Sequence, residues 1–290
     1  MNRQGNGTKL SYYDWGATPF FALGIEPRVS YCLYVPEDYE EHGDEQLQLI
    51  VLMHGTERGA AAYRDLFAIF AQQHRCLVLA PLFPCNLAGP GDLDNYKLID
   101  DAGMRFDYLL LAMVDEVAEK YRLKSDRFML HGFSGGGHFS HRFFYLHPHR
   151  LDSVSIGAPG VVSLLDSELP WWTGVADIEQ RFGHPLRLDL MRTVPVQMII
   201  GSEDIETWEI TIPEDSPWWM PGANSAGATR IERLHSLRRS FERSGITVQF
   251  DSINGVAHDG WAVLDAVKTF FVSCLPDSSD APAPSLVEKT

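Results

Sequence analysis

The chain has 290 residues, of which 45% are hydrophobic and 22% are charged, and its formal net charge is −15. This length allows one large α/β domain or two small domains, and the apolar content is sufficient for a full core. The strongly acidic balance argues against nucleic acid and against an anionic membrane surface as partners.

Targeting and metal-binding signals are absent from the sequence pattern. Residues 1–16 lack the apolar stretch of a signal peptide. The longest apolar runs, such as 108–114, are far too short to span a bilayer. The four cysteines are scattered and lack the paired spacing of a metal site. We therefore expect a cytoplasmic protein with no cofactor, no metal and no membrane partner. Its oligomeric state stays open, a homodimer included.

Apolar runs and amphipathic stretches alternate along the chain. The apolar or alternating runs predict strands at 28–36, 48–53, 76–82, 127–132, 152–157, 193–200 and 247–253. The amphipathic stretches predict helices at 60–74, 100–122, 137–147, 229–244 and 260–275. This alternation favours an α/β fold with right-handed crossovers and a mostly parallel sheet, whose sites lie beyond the carboxyl ends of the strands.

Two stretches, 158–192 and 206–228, fit no simple strand–helix unit. We interpret them as insertions that form a small cap over the strand ends of a single domain spanning 1–275. The remaining segment, 276–290, is rich in Pro, Ser, Ala and Asp, a composition that predicts a disordered tail.

The most informative motif is Gly132-Phe133-Ser134-Gly135-Gly136, between a predicted strand and a predicted helix. A sharp strand-to-helix turn holds its central residue in a strained conformation, and side chains two positions away would clash with the neighbouring chain. Glycine fits at both of those positions. The pattern predicts a nucleophile elbow, which presents the Ser134 hydroxyl at the edge of the sheet.

A serine hydroxyl needs a base, and the base needs an orienting acid. His258 is the candidate base, because it follows the predicted strand 247–253 and directly precedes the last helix. The acid is expected after the strand that ends near residue 200. Asp204 is the preferred candidate there, with Glu206 and Glu203 as alternatives.

Two other histidines, His138 and His141, lie one and two turns into the helix that follows Ser134. We expect them to point away from the serine, as core or supporting residues. Metal binding is not expected of them, because no carboxylates lie nearby at ligand spacing.

The reaction would place negative charge on the substrate oxygen, so two backbone N–H groups should face that atom. One is expected from Gly135, the residue after the nucleophile, at the N-terminus of a helix. The other is expected from Thr56, in the loop 54–59 after the strand 48–53, where Gly55 allows a close approach. The alternative for this loop is an ordinary glycine turn.

These motifs together resemble the α/β-hydrolase superfamily. The resemblance covers roughly residues 28–275 and depends on the His54-Gly55 turn, the elbow, Asp204 and His258. It implies an α/β-hydrolase fold, with an eight-stranded, mostly parallel sheet and helices on both faces. It also implies a serine-hydrolase triad in the order Ser134, Asp204, His258.

The glycines that follow the elbow, Gly136-Gly137, are similar to those of feruloyl esterases, polyhydroxyalkanoate depolymerases and dienelactone hydrolases. Two departures limit the resemblance. Dienelactone hydrolases use a cysteine where this chain has Ser134. The turn at 54–59 reads HGTERG, which is not the HGGG of lipase-type esterases.

An intact Ser-Asp-His set predicts hydrolysis of a small or medium carboxylic ester through an acyl-serine intermediate. The same triad permits an amidase or a lactonase. A non-catalytic ligand-binding receptor on the same fold is the alternative from another class. Aromatic residues further predict an apolar substrate pocket, although packing within the cap would explain the tryptophans equally well. The pocket candidates are Phe83, Phe133, Trp171, Trp172, Trp218 and Trp219.

Overall fold

The computed structural model describes residues 9–275. The disordered tail that the composition predicts at 276–290 lies outside the described residues. Within the described range, the chain forms a large mixed sheet flanked by helices, together with a small two-stranded ribbon.

The strands form the sheet and supply many of the buried hydrophobic residues. They are β1 (Gly16–Ala17), β2 (Phe21–Leu23), β3 (Glu26–Val35), β4 (Leu47–Met53), β5 (Cys76–Leu82), β6 (Asp100–Asp101), β7 (Met104–Arg105), β8 (Leu123–Phe133), β9 (Leu151–Gly157), β10 (Val196–Gly201) and β11 (Val248–Ile253). All residues of β4 and β10 are buried. Continuously apolar strands are typical of a parallel sheet that is covered on both faces.

The large sheet has nine strands, in the order β1-β3-β5-β4-β8-β9-β10-β11, with β2 paired to β3. The strands from β5 to β11 in this order pair in parallel, whereas β3 is antiparallel to β5, β1 and β2. The predicted mostly parallel α/β sheet is therefore confirmed. The count of eight strands that the resemblance implies is wrong, because the sheet has nine. The short strands β1 and β2 extend its antiparallel edge.

The helices alternate with the strands as predicted. They are α1 (Ala60–Leu66), α2 (Ala68–His74), α3 (Phe106–Lys120), α4 (Gly135–Leu146), α5 (Ile178–Phe182), α6 (Leu188–Met191), α7 (Arg230–Arg243) and α8 (Leu264–Cys274). A capping box starts α7, because the Thr229 hydroxyl accepts from the Glu232 N–H and the Glu232 carboxylate accepts in return.

Two predicted helices differ from the structure. The helix predicted at 60–74 is interrupted at the buried residue Phe67, which caps both α1 and α2. The helix predicted at 100–122 begins only at Phe106, because residues 100–105 form the β6–β7 ribbon. Ala102 and Gly103 make the turn of this ribbon with φ of 50° and 76°. Helical spacing of apolar residues did not reveal this turn.

The parallel strands bring four chain segments to one edge of the sheet. The segments follow β4, β8, β10 and β11. β4 pairs with β8 up to Met53 and Gly132, and β10 pairs with β11 up to Gly201 and Ile253. The stretches 158–192 and 206–228 follow β9 and β10 and carry two short helices, α5 and α6. Across residues 9–275, none of the helices has both the length and the apolar character to cross a bilayer.

Candidate active site

Ser134 lies at the bend between β8 and α4. Its backbone has φ 56° and ψ −117°, a region that costs a non-glycine residue of the order of 1–3 kcal/mol. Its N–H donates to the Gly157 carbonyl over 2.9 Å, so the end of β9 holds the bend in place. Strain of this kind persists only where the surroundings enforce it.

The glycines around Ser134 are needed for close approaches of backbone to backbone. A Cβ on Gly132 would lie 2.4 Å from the carbonyl oxygen of Gly136, and a Cβ on Gly136 would lie 2.4 Å from that of Met53. A Cβ on Gly137 would lie 2.2 Å from the Gly157 oxygen. The elbow therefore packs into β4 and β9 with no space for side chains, as the motif predicts.

His258 and Asp204 meet at the carboxyl edge of the sheet. The Nδ1 atom of His258 lies 2.6 Å from Oδ2 of Asp204, whose side chain is fully buried. Glu203 and Glu206, the alternative acids, are both exposed. Of the three candidates, the structure brings Asp204 to the imidazole.

Main-chain contacts hold together the two loops that carry His258 and Asp204. The Ser202 N–H donates to Ile253 and the Glu203 N–H donates to Val256, over 2.9 and 2.8 Å. A Cβ on Gly201 would lie 2.2 Å from the Val256 oxygen. Glycine at this position therefore allows the two loops to pack directly on each other, which sets the separation of acid and imidazole.

Ser134 and His258 line one common cavity. The His258 ring lies 5.0 Å from the Phe133 ring, centroid to centroid, next to the serine. Among residues 9–275, neither the Ser134 hydroxyl nor the Nε2 atom of His258 has a hydrogen-bond partner. Serine and imidazole therefore line the same cavity, with the Ser134 hydroxyl and the His258 Nε2 atom unpaired within residues 9–275.

Backbone N–H groups of Thr56 and Gly135 lie beside Ser134. A Cβ on Gly135 would lie 3.1 Å from the Thr56 nitrogen and 2.5 Å from the Tyr96 hydroxyl. Gly135 is the first residue of α4, where N–H groups have no partner within the helix. The two predicted donors are therefore neighbours, and glycine at 135 keeps the space between them open.

A buried histidine fixes the loop that carries Thr56. His54 Nδ1 donates to the Gly55 carbonyl over 2.8 Å, and its Nε2 accepts from the Phe83 N–H over 3.1 Å. Burial lowers the pKa of His54 to about 3, so the ring stays neutral and keeps both bonds.

His138 and His141 secure the loop after β9. Their Nε2 atoms accept from the Val161 N–H and the Ser163 N–H, each over 3.1 Å. Burial lowers the pKa of both rings well below the usual value. The supporting role expected of them fits these contacts. His138, however, lines the cavity rather than pointing away from it, because the Val161 loop folds back over α4.

The cavity has a volume of about 660 Å³. Of the aromatic residues predicted to line it, Phe133, Trp172 and Trp218 do so. The other three lie elsewhere. Trp171 is buried against Phe182 with 4.8 Å between ring centroids. Trp219 is 40% exposed. Phe83 is fully buried against Tyr96 and Phe106.

Sequence reasoning missed five prominent residues of this cavity, namely Tyr63, Lys97, Glu209, Arg230 and Trp261. Lys97 lies in a stretch that reads as loop, and Glu209 lies in an insertion without periodicity. Arg230 begins a helix rich in basic residues, and this composition indicates a solvent-exposed helix rather than a cavity wall. A short 3₁₀ turn, Asn95–Leu98, buries most of Lys97.

No family model matches the chain, and no curated protein matches its sequence. Solved structures do match. Poly(aspartic acid) hydrolase-1 from Sphingomonas sp. KT-1 has a TM-score of 0.69 at 20% identity, over 88% of this chain and 97% of that one. A poly(3-hydroxybutyrate) depolymerase from Bordetella parapertussis has a TM-score of 0.68 at 22% identity, over 87% and 86%.

A third similar structure is an S-formylglutathione hydrolase from Agrobacterium tumefaciens. It has a TM-score of 0.57 at 13% identity, over 85% of this chain and 88% of that one.

Acidification should destabilise this protein through its buried neutral histidines. His54 and His131 have pKa values of about 3, and burial lowers those of His138 and His141 as well. Well above pH 6.5 all four are neutral in both the folded and the unfolded state. Below pH 6.5 only the unfolded chain takes up protons at these positions. Each histidine therefore lowers the free energy of unfolding by about 1.4 kcal/mol per pH unit.

Urea unfolding monitored by fluorescence should show the free energy of unfolding falling by up to about 5 kcal/mol between about pH 7.5 and about pH 5.5. His131→Leu should remove about a quarter of this fall, and the exposed His42→Leu should remove none. A free energy that changes by less than about 1 kcal/mol over this range would contradict the prediction.

The first two structural matches extend over 87–88% of this chain at TM-scores of 0.68–0.69, and the chain itself has a mostly parallel sheet with flanking helices. This chain has the α/β-hydrolase fold.

Proposed function

We propose that this protein is a serine hydrolase that cleaves a small or medium carboxylic ester. Ser134 is the nucleophile, His258 the base and Asp204 the orienting acid. One observation carries the proposal: the strained Ser134 lines the same cavity as an imidazole whose Nδ1 lies 2.6 Å from a buried carboxylate. The names hydrolase and depolymerase among the similar structures support it.

In the first half-reaction, His258 Nε2 removes the hydroxyl proton while Ser134 Oγ attacks the ester carbon. The carbonyl oxygen becomes an oxyanion and accepts hydrogen bonds from the Thr56 and Gly135 N–H groups. Asp204 stabilises the imidazolium and fixes its tautomer. The tetrahedral intermediate then collapses, the alcohol leaves with the proton from His258, and an acyl group remains on Ser134.

In the second half-reaction, His258 removes a proton from water, which attacks the acyl carbon. The carboxylic acid departs as Ser134 regains its proton. The segments 158–192 and 206–228 supply cavity residues such as Gly160, Trp172, Glu209 and Trp218. We propose that these segments form the cap of a single domain and select the substrate.

The charges of the cavity bear on the substrate class. Four carboxylate side chains and two cationic side chains line it, which leaves a formal charge of −2. They are Glu57, Asp94, Glu209 and Asp259, with Lys97 and Arg230. Both cations already have carboxylate partners. We therefore propose a neutral substrate, in contrast to a polyanion such as poly(aspartic acid).

Ser134→Ala should lower kcat by roughly 10³–10⁶, because the triad acts as a unit. The measurement is hydrolysis of a neutral p-nitrophenyl ester. Ser252→Ala, at an exposed position of β11, is the matched control and should keep the wild-type rate. A Ser134→Ala variant that hydrolyses the ester at the wild-type rate would rule out the mechanism.

Substrate charge should affect kcat/KM. We expect kcat/KM for p-nitrophenyl butyrate to be roughly tenfold higher than for its carboxylate-bearing analogue, mono-p-nitrophenyl succinate. This ratio corresponds to about 1.4 kcal/mol. Added salt should narrow the difference, since it screens the repulsion. Equal values for the two esters at low salt would refute the neutral-substrate proposal. Anilides and lactones in the same panel test the amidase and lactonase alternatives.

A further inference from the structure

Arg230 connects the proposed catalytic acid to a carboxylate of the cavity wall. Its Nη1 lies 3.3 Å from Oδ1 of Asp204, and its Nη2 lies 2.5 Å from Oε2 of Glu209. The side chains of Arg230 and Asp204 are 3% and 0% exposed, whereas that of Glu209 is 51% exposed. One guanidinium therefore bridges the buried acid and a residue from the segment 206–228.

The two oxygens of Asp204 have different partners. Oδ2 accepts from His258 and Oδ1 accepts from Arg230, so the carboxylate cannot rotate without losing one of them. The planar guanidinium is suited to this task because its N–H groups point in fixed directions, which a lysine ammonium does not offer. Within residues 9–275, the Nε atom of Arg230 has no hydrogen-bond partner. The ion pairs of the guanidinium there are those with Asp204 and Glu209.

We propose that Arg230 is a positioning residue for the triad, and that the Arg230–Glu209 pair sets the pH range in which His258 acts as a base. This inference rests on the proposed serine-hydrolase function. Arg230 holds the Asp204 carboxylate toward the imidazole. Its positive charge also opposes the negative charge by which Asp204 stabilises the protonated imidazole.

The direction of the effect follows from the charges. A cation close to Asp204 makes protonation of His258 less favourable, so activity extends to lower pH. Removing Arg230 should therefore move the acid limb of kcat/KM to higher pH. Removing the charge of Glu209 should move it to lower pH, because a nearby anion is lost and Arg230 then acts on Asp204 alone.

Other charged or titratable groups also surround this site, and they stay constant in the comparison. They are His138 on α4, Lys97 on the 3₁₀ turn, Glu232 and Arg233 on α7, Glu57 on the loop after β4, and Asp259 beside His258. Arg233 donates to the carbonyls of Gly160 and Ile210, so the first turn of α7 also secures the cavity wall.

The test is the pH profile of kcat/KM for a neutral p-nitrophenyl ester, because its acid limb reports the base of the free enzyme. We expect Arg230→Met to raise the midpoint of the acid limb by about one pH unit and to lower kcat. Glu209→Gln should lower the midpoint by about half a unit. Arg230→Lys should keep the midpoint close to that of the wild type, since the charge remains, while kcat falls.

The matched control is Arg238→Met, the same substitution at a side chain of α7 that is 36% exposed and paired with Glu242. It should leave both kcat and the midpoint unchanged. Shifts of Arg230→Met and Glu209→Gln in the same direction, or no shift in either, would overturn the proposal.

A second variant keeps the test decisive if Arg230→Met fails to fold, since removing one partner of a buried ion pair is strongly destabilising. Glu209 is half-exposed, so Glu209→Gln should fold. An unchanged or raised midpoint for that variant would overturn the proposal by itself. Loss of activity in Ser134→Ala together with unmoved acid limbs would reject the role of Arg230 and leave the serine-hydrolase function intact.

Discussion

The strained bend at Ser134 is the constraint on which the rest of the site depends. A positive φ at a serine is unfavourable, and here three close backbone approaches enforce it. They join Gly132 to Gly136, Gly136 to Met53, and Gly137 to Gly157. Because β4, β8 and β9 are neighbours in the sheet, the central core of the protein holds the bend. The hydroxyl therefore needs no mobile loop to present it to the cavity.

The second half of the site depends on contacts between two loops at the same sheet edge. β10 and β11 are parallel through Gly201 and Ile253, and their following loops share main-chain hydrogen bonds. This pairing brings Asp204 to His258 without a contribution from the serine. The two halves then meet at Phe133, whose ring packs beside the imidazole. A rigid sheet thus aligns groups that are far apart in the chain.

The buried titratable groups are neutral in one half of the site and charged but paired in the other. Around the elbow, histidines such as His54 and His138 are neutral and accept from backbone N–H groups. Around the acid, full charges are paired, with Arg230 between Asp204 and Glu209. Since an isolated buried charge is costly, this arrangement ties the acid to a residue of the cavity wall.

Much of the fold and the core of the site could be predicted from sequence because their signals are local. The apolar run of β4 reveals a buried strand, and the spacing of glycines around Ser134 reveals the bend. The interruption at Phe67 and the ribbon at 100–105 carry no such signal, because helical periodicity continues across both. Arg230 and Trp171 depend on tertiary contacts: a basic helix start and a tryptophan pair look alike whether they face a cavity, the core or solvent.

The most direct test of the shared Ser134–His258 site is labelling by a fluorophosphonate, followed by mass-spectrometric mapping of the modified peptide. One adduct is predicted, on Ser134, and His258→Ala should slow its formation by at least about 100-fold. The exposed His42→Ala should label as fast as the wild type. An adduct on another residue, or rapid labelling of His258→Ala, would contradict the assignment of serine and imidazole to one catalytic site.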